Sequence, residues 1–574
     1  MKVLKFPDCE CEFDAEEEKN IGYSFDTFGS PMILYFSPNI EEMNMGCRTT
    51  WDLISEGNTK GVFQLESRLG QMLAKRLKPR NIEHLAALIS IMRPGVLEAM
   101  RPNDAGKMIS VTDHYILRKN GEEEVTYFHP ALEKSLGQTY GEMIYQEQAM
   151  QIARDIAGFD LQQADILRKA IGKKKASIMA EVKKEFLEGT KKVGIVEEDE
   201  AQQIFEWIEK SQRYSFNKAH AVSYAINGYL SAYAKAHFKR QFLTSYLFYS
   251  YLKQKPYIEI NELVNNCKVM DIDVKPPDLR NFSHHFKLIN KEIFFGLTDI
   301  KGVGSSVAKR LDSYFKVVEE KIGKPIKEWV WADFLIFMSP YINKTAVEAI
   351  IKVGSLRWMK EHRQRMLFDF QQYSKLSKRE RDYVENMYLK GQISECPHSN
   401  NTYLDKILYA LLSSPVGKSG GIANKNRVAK IQDIATLIDN PPMTLEDSPT
   451  WISAVEEALL GIPITCTIVD ECDKDAANTT CRDFRSGITS KAGMLMAVKV
   501  DEVKEISTKR GKNAGSKMAF ITVSDSTASL ESVVLFPDIW PQYKAKLFAD
   551  NTIMLAGHRG REKDSFVVTK VWQI

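Results

Sequence analysis

Apolar residues recur at helical spacing from about Thr50 to Leu252. Ile178, Val182 and Phe186 follow one another at four-residue steps with Lys and Glu between them, which predicts an amphipathic helix. Pro276 and Pro277 interrupt this region, and a second helical stretch runs on to about Lys390. Residues 391–450 are rich in Ser, Asn and Pro and read as linker, while residues 1–50 carry Gly, Pro, Ser and Asn punctuation and read as irregular. From Gly493 the period changes to two. Met494, Met496, Val498 and Val500 alternate, as do Leu530, Ser532, Val534 and Phe536, then Ile553 with Leu555 and Phe566 with Val568. Alternation of this kind marks half-buried strands, and roughly five of them suit a small closed or partly open barrel. The expected fold class is multidomain, mainly α followed by a small all-β barrel.

The 574 residues are 44% hydrophobic and 27% charged, the balance of a globular chain with several cores. No apolar run approaches the roughly 18 residues of a membrane span. The opening MKVLKFPDCECEFD is acidic and lacks the apolar stretch of a secretory signal. A net charge of +3 says nothing about nucleic acid until its distribution is known. The eight cysteines are scattered, so a reducing cytoplasm is expected rather than a disulfide framework. Cys9, Cys11 and Cys47 could supply three zinc ligands, but a fourth is missing and Cys-x-Cys is tighter than usual zinc spacing, so free thiols are expected.

Several motifs stand in a fixed order. GVFQLESRLGQMLAKRLKP (61–79) comes first, then IMRPGVLEAM (91–100) and YFHPALEKSLGQTYGEMIYQEQAMQIARDIAGF (127–159). ADILRKAIGKKK (164–175), YSFNKAHAVSYA (214–225), VKPPDL (274–279) and FGLTDIKGVGSSVAKRL (295–311) follow. Together they resemble the fingers and downstream DNA-handling half of C-family replicative DNA polymerases, the bacterial-type polymerase III alpha subunits. The resemblance implies polymerase fingers, a helix-hairpin-helix domain and an oligonucleotide-binding (OB) fold. Its expected boundaries are an N-terminal segment at 1–50 (palm remnant or docking region), fingers at 51–285, a helix-hairpin-helix and clamp-binding domain at 286–390, a linker with a small subdomain at 391–484, and the OB-fold at 485–574.

The chemistry agrees with that resemblance. Arg168, Lys169, Lys173, Lys174 and Lys175 place five cations in eight residues with no acid among them. Arg offers forked hydrogen bonds to phosphate oxygens and Lys adds point charges, as the triphosphate of a nucleotide requires; an isolated run of this kind is otherwise a solvated helix end. The family usually has two arginines where Arg168 and Lys169 stand. Asn217, Lys218 and His220 precede a small-residue helix and are expected to reach nucleotide or template, although a lone histidine there could equally cap a helix. Arg93, in the Arg-Pro-Gly segment, is an expected DNA contact. Lys301, Gly302, Val303 and Gly304 form a hairpin whose backbone N–H groups could meet a phosphate without regard to sequence. Lys509, Arg510 and Lys512 lie in a basic loop of the barrel, suited to single-stranded template. Gln364, Leu367 and Phe368 have the spacing of a sliding-clamp peptide, in a stretch that also reads as an ordinary helix.

Nucleotidyl transfer needs two metal ions about 4 Å apart on carboxylates. The family takes them from a Pro-Asp-x-Asp-x-Asp-Phe palm motif and a further aspartate. Glu10 and Glu12 copy the spacing with the wrong acids, Asp271 and Asp273 lie in the wrong context, and Asp26 alone is a candidate ligand. The resemblance therefore implies template-directed DNA synthesis by a split enzyme, with Mg²⁺ held mainly by a separate palm- and PHP-bearing polypeptide. Primer–template DNA, deoxynucleoside triphosphates and a sliding clamp are the expected partners, in the cytoplasm of a bacterial or phage-infected cell. The alternative is a non-catalytic DNA- and clamp-binding accessory protein built from polymerase modules.

Overall fold

A computed structural model describes residues 44–574 apart from 104–105, 174–175, 212–214, 394–402, 415–424, 489–492, 509–514 and 561–564; before residue 44 it describes four short strands. These are Val3–Lys5 paired with Glu12–Asp14 and Ile21–Phe25 paired with Pro31–Phe36, so a region expected to be irregular forms two antiparallel pairs. The chain divides into two compact units, Met1–Leu243 and Thr244–Ile574. That division falls inside the segment 51–285 expected as one domain.

The first unit is built on helices α1 (Arg48–Ser55), α2 (Ile82–Ile91), α3 (Gln146–Ala157), α4 (Leu161–Lys173), α5 (Ala176–Val193), α6 (Glu198–Ser211) and α7 (Lys218–His237). Helix α2 is apolar on every side and is buried accordingly, from Leu85 to Ile91. Asn81 starts it by accepting a hydrogen bond from the His84 N–H at 2.8 Å. Helix α7 turns Ala221, Ala225, Gly228 and Ala232 inward, small residues that let it lie close to α2. At its far end the buried Lys235 ammonium donates to the carbonyls of Asn58 (2.8 Å) and Lys60 (2.7 Å), which pins the turn before the first motif. A second core joins α3, α4, α5 and α6 through Ile152, Leu167, Val182, Phe186, Phe205 and Ile208, so the predicted four-residue stripe of α5 does face inward. Gly189 makes that packing possible: a Cβ there would lie 2.1 Å from the Ala157 carbonyl oxygen.

The second unit opens with a helix at Pro256–Val269 and then a three-stranded sheet of Val274–Lys275, Glu292–Phe294 and Lys287–Ile289, which the period analysis does not reveal because each strand is two or three residues long. Helices α8 (Ser305–Ile322), α9 (Lys344–Lys352), α10 (Arg363–Tyr373) and α11 (Pro449–Leu460) follow. Residues 391–450 are not plain linker. They hold helices at Tyr403–Leu412 and Lys425–Asp439, and Leu404, Ile407, Leu408 and Leu411 of the first are buried at helical spacing.

Strands β1 (Met494–Ser507), β2 (Lys517–Ser524), β3 (Ser529–Leu535), β4 (Thr552–Arg559) and β5 (Phe566–Gln573) close into a barrel of order β1-β2-β3-β5-β4, of the oligonucleotide-binding type. Met494, Met496, Val498 and Val500 point into it as expected, with Ile553, Leu555, Phe566 and Val568. Strand β3 departs from simple alternation. Opposite Ile521 and Val523 of β2, strand β3 takes three steps from Leu530 to Val533 against two, and this extra residue shifts the register, so Leu530, Val533 and Leu535 fill the core, while Phe536, just past the strand, is exposed.

Candidate nucleic-acid and nucleotide site

In the first unit the candidate residues gather where α7 begins. Asn217 caps α7, its side-chain oxygen accepting from the His220 N–H at 2.9 Å, while its amide donates to Glu147 at 2.7 Å. Glu147 also accepts from the Lys218 N–H, which ties α7 to the first turn of α3. The Lys218 ammonium donates to Gln138 at 3.1 Å, lies 3.5 Å from Glu83 and sits 5.7 Å from the centre of the Tyr145 ring.

His220 is exposed and belongs to a row of rings. Phe216 meets it edge-on at 5.3 Å, Tyr224 lies 4.2 Å away on the other side, and Phe63 follows at 5.2 Å from Tyr224. Arg93 closes the other end, its guanidinium 3.6 Å from the centre of the Phe216 ring. Arg93, Asn217, Lys218 and His220 are thus brought together. Phe63, Tyr224 and Glu147 complete the cluster; the four-residue step from His220 to Tyr224 was a signal the sequence offered, whereas Phe63 and Glu147 come from distant segments and leave no spacing to read. Such a row can stack a base or support a phosphate-binding guanidinium.

Arg168 and Lys169 stand elsewhere, on α4, and are not bare charge. Arg168 donates twice to Asp165 (2.9 and 2.7 Å), and the Lys169 ammonium lies 2.6 Å from the same carboxylate. Those hydrogen bonds, from Lys169 first and Arg168 second, hold the Asp165 carboxyl below the usual carboxylate range. Both cations remain open to solvent, so a phosphate would have to compete with Asp165 for them. Lys173 ends α4; its side chain, with Lys174 and Lys175, lies outside the described residues.

In the second unit the hairpin opens on a three-residue turn, Leu297–Asp299, rather than a full helix. Lys301, Gly302 and Gly304 are exposed. Gly302 has φ +92°, the left-handed region that favours glycine, and Gly304 caps α8 with open space where a Cβ would project. Val303 is buried, as is Ile300, so its side chain anchors the hairpin and does not face outward. Lys309 and Arg310 on α8 are exposed beside the hairpin.

The clamp-peptide reading of Gln364, Leu367 and Phe368 meets a packed helix. Phe368 is 5% exposed and Leu367 half-buried, and Gln364 donates to the Glu446 carbonyl, so the two anchors are not presented to a groove. Next to them Arg363 bonds the buried Glu456 at 2.7 Å and Thr465 at 2.9 Å, which fixes α10 against α11. The Asp369 carboxylate accepts from the Trp331 indole at 3.0 Å, and burial pushes its pKa up to about 7 although Arg365 opposes the shift.

Asp26, Cys9, Cys11, Lys509, Arg510 and Lys512 lie outside the described residues. Among the described residues no three His, Cys, Asp or Glu side chains are grouped to hold a metal, so Mg²⁺ finds no fitting set among them. Cys47 is buried with its sulfur 3.3 Å from His237 Nε2; burial raises its pKa, but hydrogen bonds from His237 and Thr50 outweigh that and bring it to about 6. Asp271 pairs with Arg482 at 3.3 Å. Lys517, at the base of the barrel loop, pairs with Glu505 at 2.6 Å. No helix among the described residues is long and apolar enough to cross a membrane.

The family model for the bacterial DNA polymerase III alpha subunit finger domain matches residues 36–194, and that for the helix-hairpin-helix motif matches residues 271–366. DNA polymerase III subunit alpha of Aquifex aeolicus is 30% identical over 542 residues, 93% of this chain and 40% of that protein. The subunit from Thermus aquaticus is 37% identical over 313 residues, 54% of this chain and 24% of that protein. That of Staphylococcus aureus (strain MRSA252) is 28% identical over 523 residues, 90% of this chain and 42% of that protein. Where such a match covers nine-tenths of this chain, the chain spans about two-fifths of the relative's length.

Proposed function

Starting from a chain that is related to the bacterial DNA polymerase III alpha subunits and carries their finger domain, we propose that it takes part in template-directed DNA synthesis, supplying fingers and DNA-binding domains. The supporting observation is the cluster of Arg93, Phe216, Asn217, Lys218 and His220 at the head of one helix, open to solvent and built to meet phosphate and base together. Arg168 and Lys169 receive the triphosphate of the incoming nucleotide, exchanging Asp165 for phosphate oxygens. The exposed Gly302–Gly304 hairpin holds a DNA backbone without sequence preference, and the barrel takes single-stranded template.

The carboxylates that hold Mg²⁺ come, in this reading, from a palm-bearing polypeptide. When bound, that metal supplies the Lewis acid for phosphoryl transfer; the residues described here bind, orient and neutralise charge. Primer extension with the purified chain, with and without a candidate palm-bearing partner, is the test. Extension only in the mixture is the expected result. Robust extension by this chain alone, lost on Glu10→Gln or Glu12→Gln, would overturn the division of labour. DNA binding with no extension in any mixture would favour a non-catalytic accessory role.

A further inference from the structure

An exposed aromatic strip in the second unit has no place in the site described above. Between Thr244 and Ile258 the sequence contains Lys253 and Lys255 and no acid. Five large side chains of this segment are open to solvent: Tyr249 (58% exposed), Tyr251 (48%), Leu252 (68%), Tyr257 (37%) and Ile258 (54%). Both lysines are exposed among them, and the Lys253 ammonium lies 5.1 Å from the centre of the Tyr246 ring. The Lys253 ammonium also donates to the Tyr246 hydroxyl at 3.1 Å, and exposed rings clustered beside lysines are the composition of a single-strand nucleic-acid platform.

Two routes of contact run from this strip to the hairpin. Tyr251 lies flat on His285, the rings 4.8 Å apart and 11° from parallel, and His285 Nδ1 is 3.0 Å from Asp299, the last residue of the turn that leads into Lys301 and Gly302. Tyr257 packs against Gly461, where an added Cβ would come within 2.9 Å of its own Cβ; two residues earlier the Leu459 carbonyl accepts from the Lys301 N–H at 2.9 Å. The end of α11 therefore touches the strip and the hairpin at once. A strand whose phosphate rests on the hairpin finds rings and ammonium groups next along its path.

We propose that Tyr249 and Tyr251, with Lys253 and Lys255, form a stacking platform for unpaired bases of a single DNA strand entering or leaving the hairpin. This rests on the DNA-handling part of the proposed function and adds to it a second contact, specific for single strands. Its test does not require extension. Binding of the full chain is followed by fluorescence anisotropy with three labelled probes of about 20 nucleotides: oligo(dT), an abasic strand of the same length and a blunt duplex. The pair Tyr249→Ala with Tyr251→Ala is expected to weaken oligo(dT) binding about tenfold while leaving the abasic strand and the duplex within about twofold. Tyr249→Phe with Tyr251→Phe keeps the rings and is expected to match the parent on all three probes, which separates stacking from loss of fold. Unchanged oligo(dT) affinity in the alanine pair would overturn the proposal, as would equal losses on all three probes. So would a change in sedimentation of the free chain with oligo(dT) affinity intact, since the strip would then be a self-association surface. A chain that binds oligo(dT) through these rings but never extends a primer would leave the platform standing while the polymerase reading fell.

Discussion

The Arg93 guanidinium lies over the Phe216 ring, 3.6 Å from its centre. A guanidinium held on a ring face is oriented by cation–π attraction and stacking, yet its in-plane N–H donors stay available to a phosphate. The charge and its platform come from segments far apart in the chain, so each can be altered without the other.

Arg93→Ala is expected to weaken DNA binding on all sequences and to lower the slope of log affinity against log salt by about one. Phe216→Leu keeps the charge but removes the platform; its salt slope should stay near the parent value while affinity falls by a smaller factor. Titrations across salt concentrations separate the two.

Arg168→Ala in a reconstituted enzyme should raise the apparent KM for all four nucleotides, or lower kcat, by at least about tenfold, the scale of one charge-assisted hydrogen bond. Asp165→Asn should move KM the other way at low salt, because it releases Arg168 and Lys169 from an internal competitor. If Arg168→Ala changed only DNA affinity, the residue would belong to the template path.

The two hairpin glycines should behave differently. Gly304→Val meets open space, so the melting temperature should fall only by the loss of a favourable N-cap residue while duplex affinity drops about tenfold on unrelated sequences, the branched side chain blocking a phosphate from the backbone N–H. Gly302→Ala forces a Cβ into φ +92° and should also lower stability by about 1 kcal/mol. Calorimetry beside binding distinguishes them.

Asp369 gives the second unit a pH signature. Its folded pKa, about 7, exceeds the ordinary aspartate value, so the native state binds the extra proton and stability falls as pH rises from about 4 to 7. Asp369→Asn keeps an acceptor for the Trp331 indole and cannot ionise. It should raise the melting temperature at pH 8 and do less at pH 5, measured by thermal unfolding at both.

The sequence made some of this legible and hid the rest for physical reasons. The stripe Ile178, Val182, Phe186 and the alternation of β1 were readable because a regular element facing one core repeats its burial. Phe536 was placed wrongly because β3 carries one residue more than its partner between Leu530 and Val533, which changes the phase, and a strict period of two has no room for such a bulge. The helix Tyr403–Leu412 was masked by the Ser- and Asn-rich residues around it, although its own apolar spacing is regular. Phe368 matched a motif but answers to the burial pattern of α10. The cation run at 168–175 looked uncompensated because Asp165, three residues earlier, comes back onto it only once the helix winds.

The barrel's strand order sets a schedule. β1 pairs with β2 directly, but its other edge is covered by β4, and β3 finds its second neighbour only in β5, residues 566–573. Until those last strands have been synthesised, β1 and β3 each carry an open row of backbone donors and acceptors. A chain cut after Leu535 would thus keep both edges open, and it should aggregate more readily than the full chain.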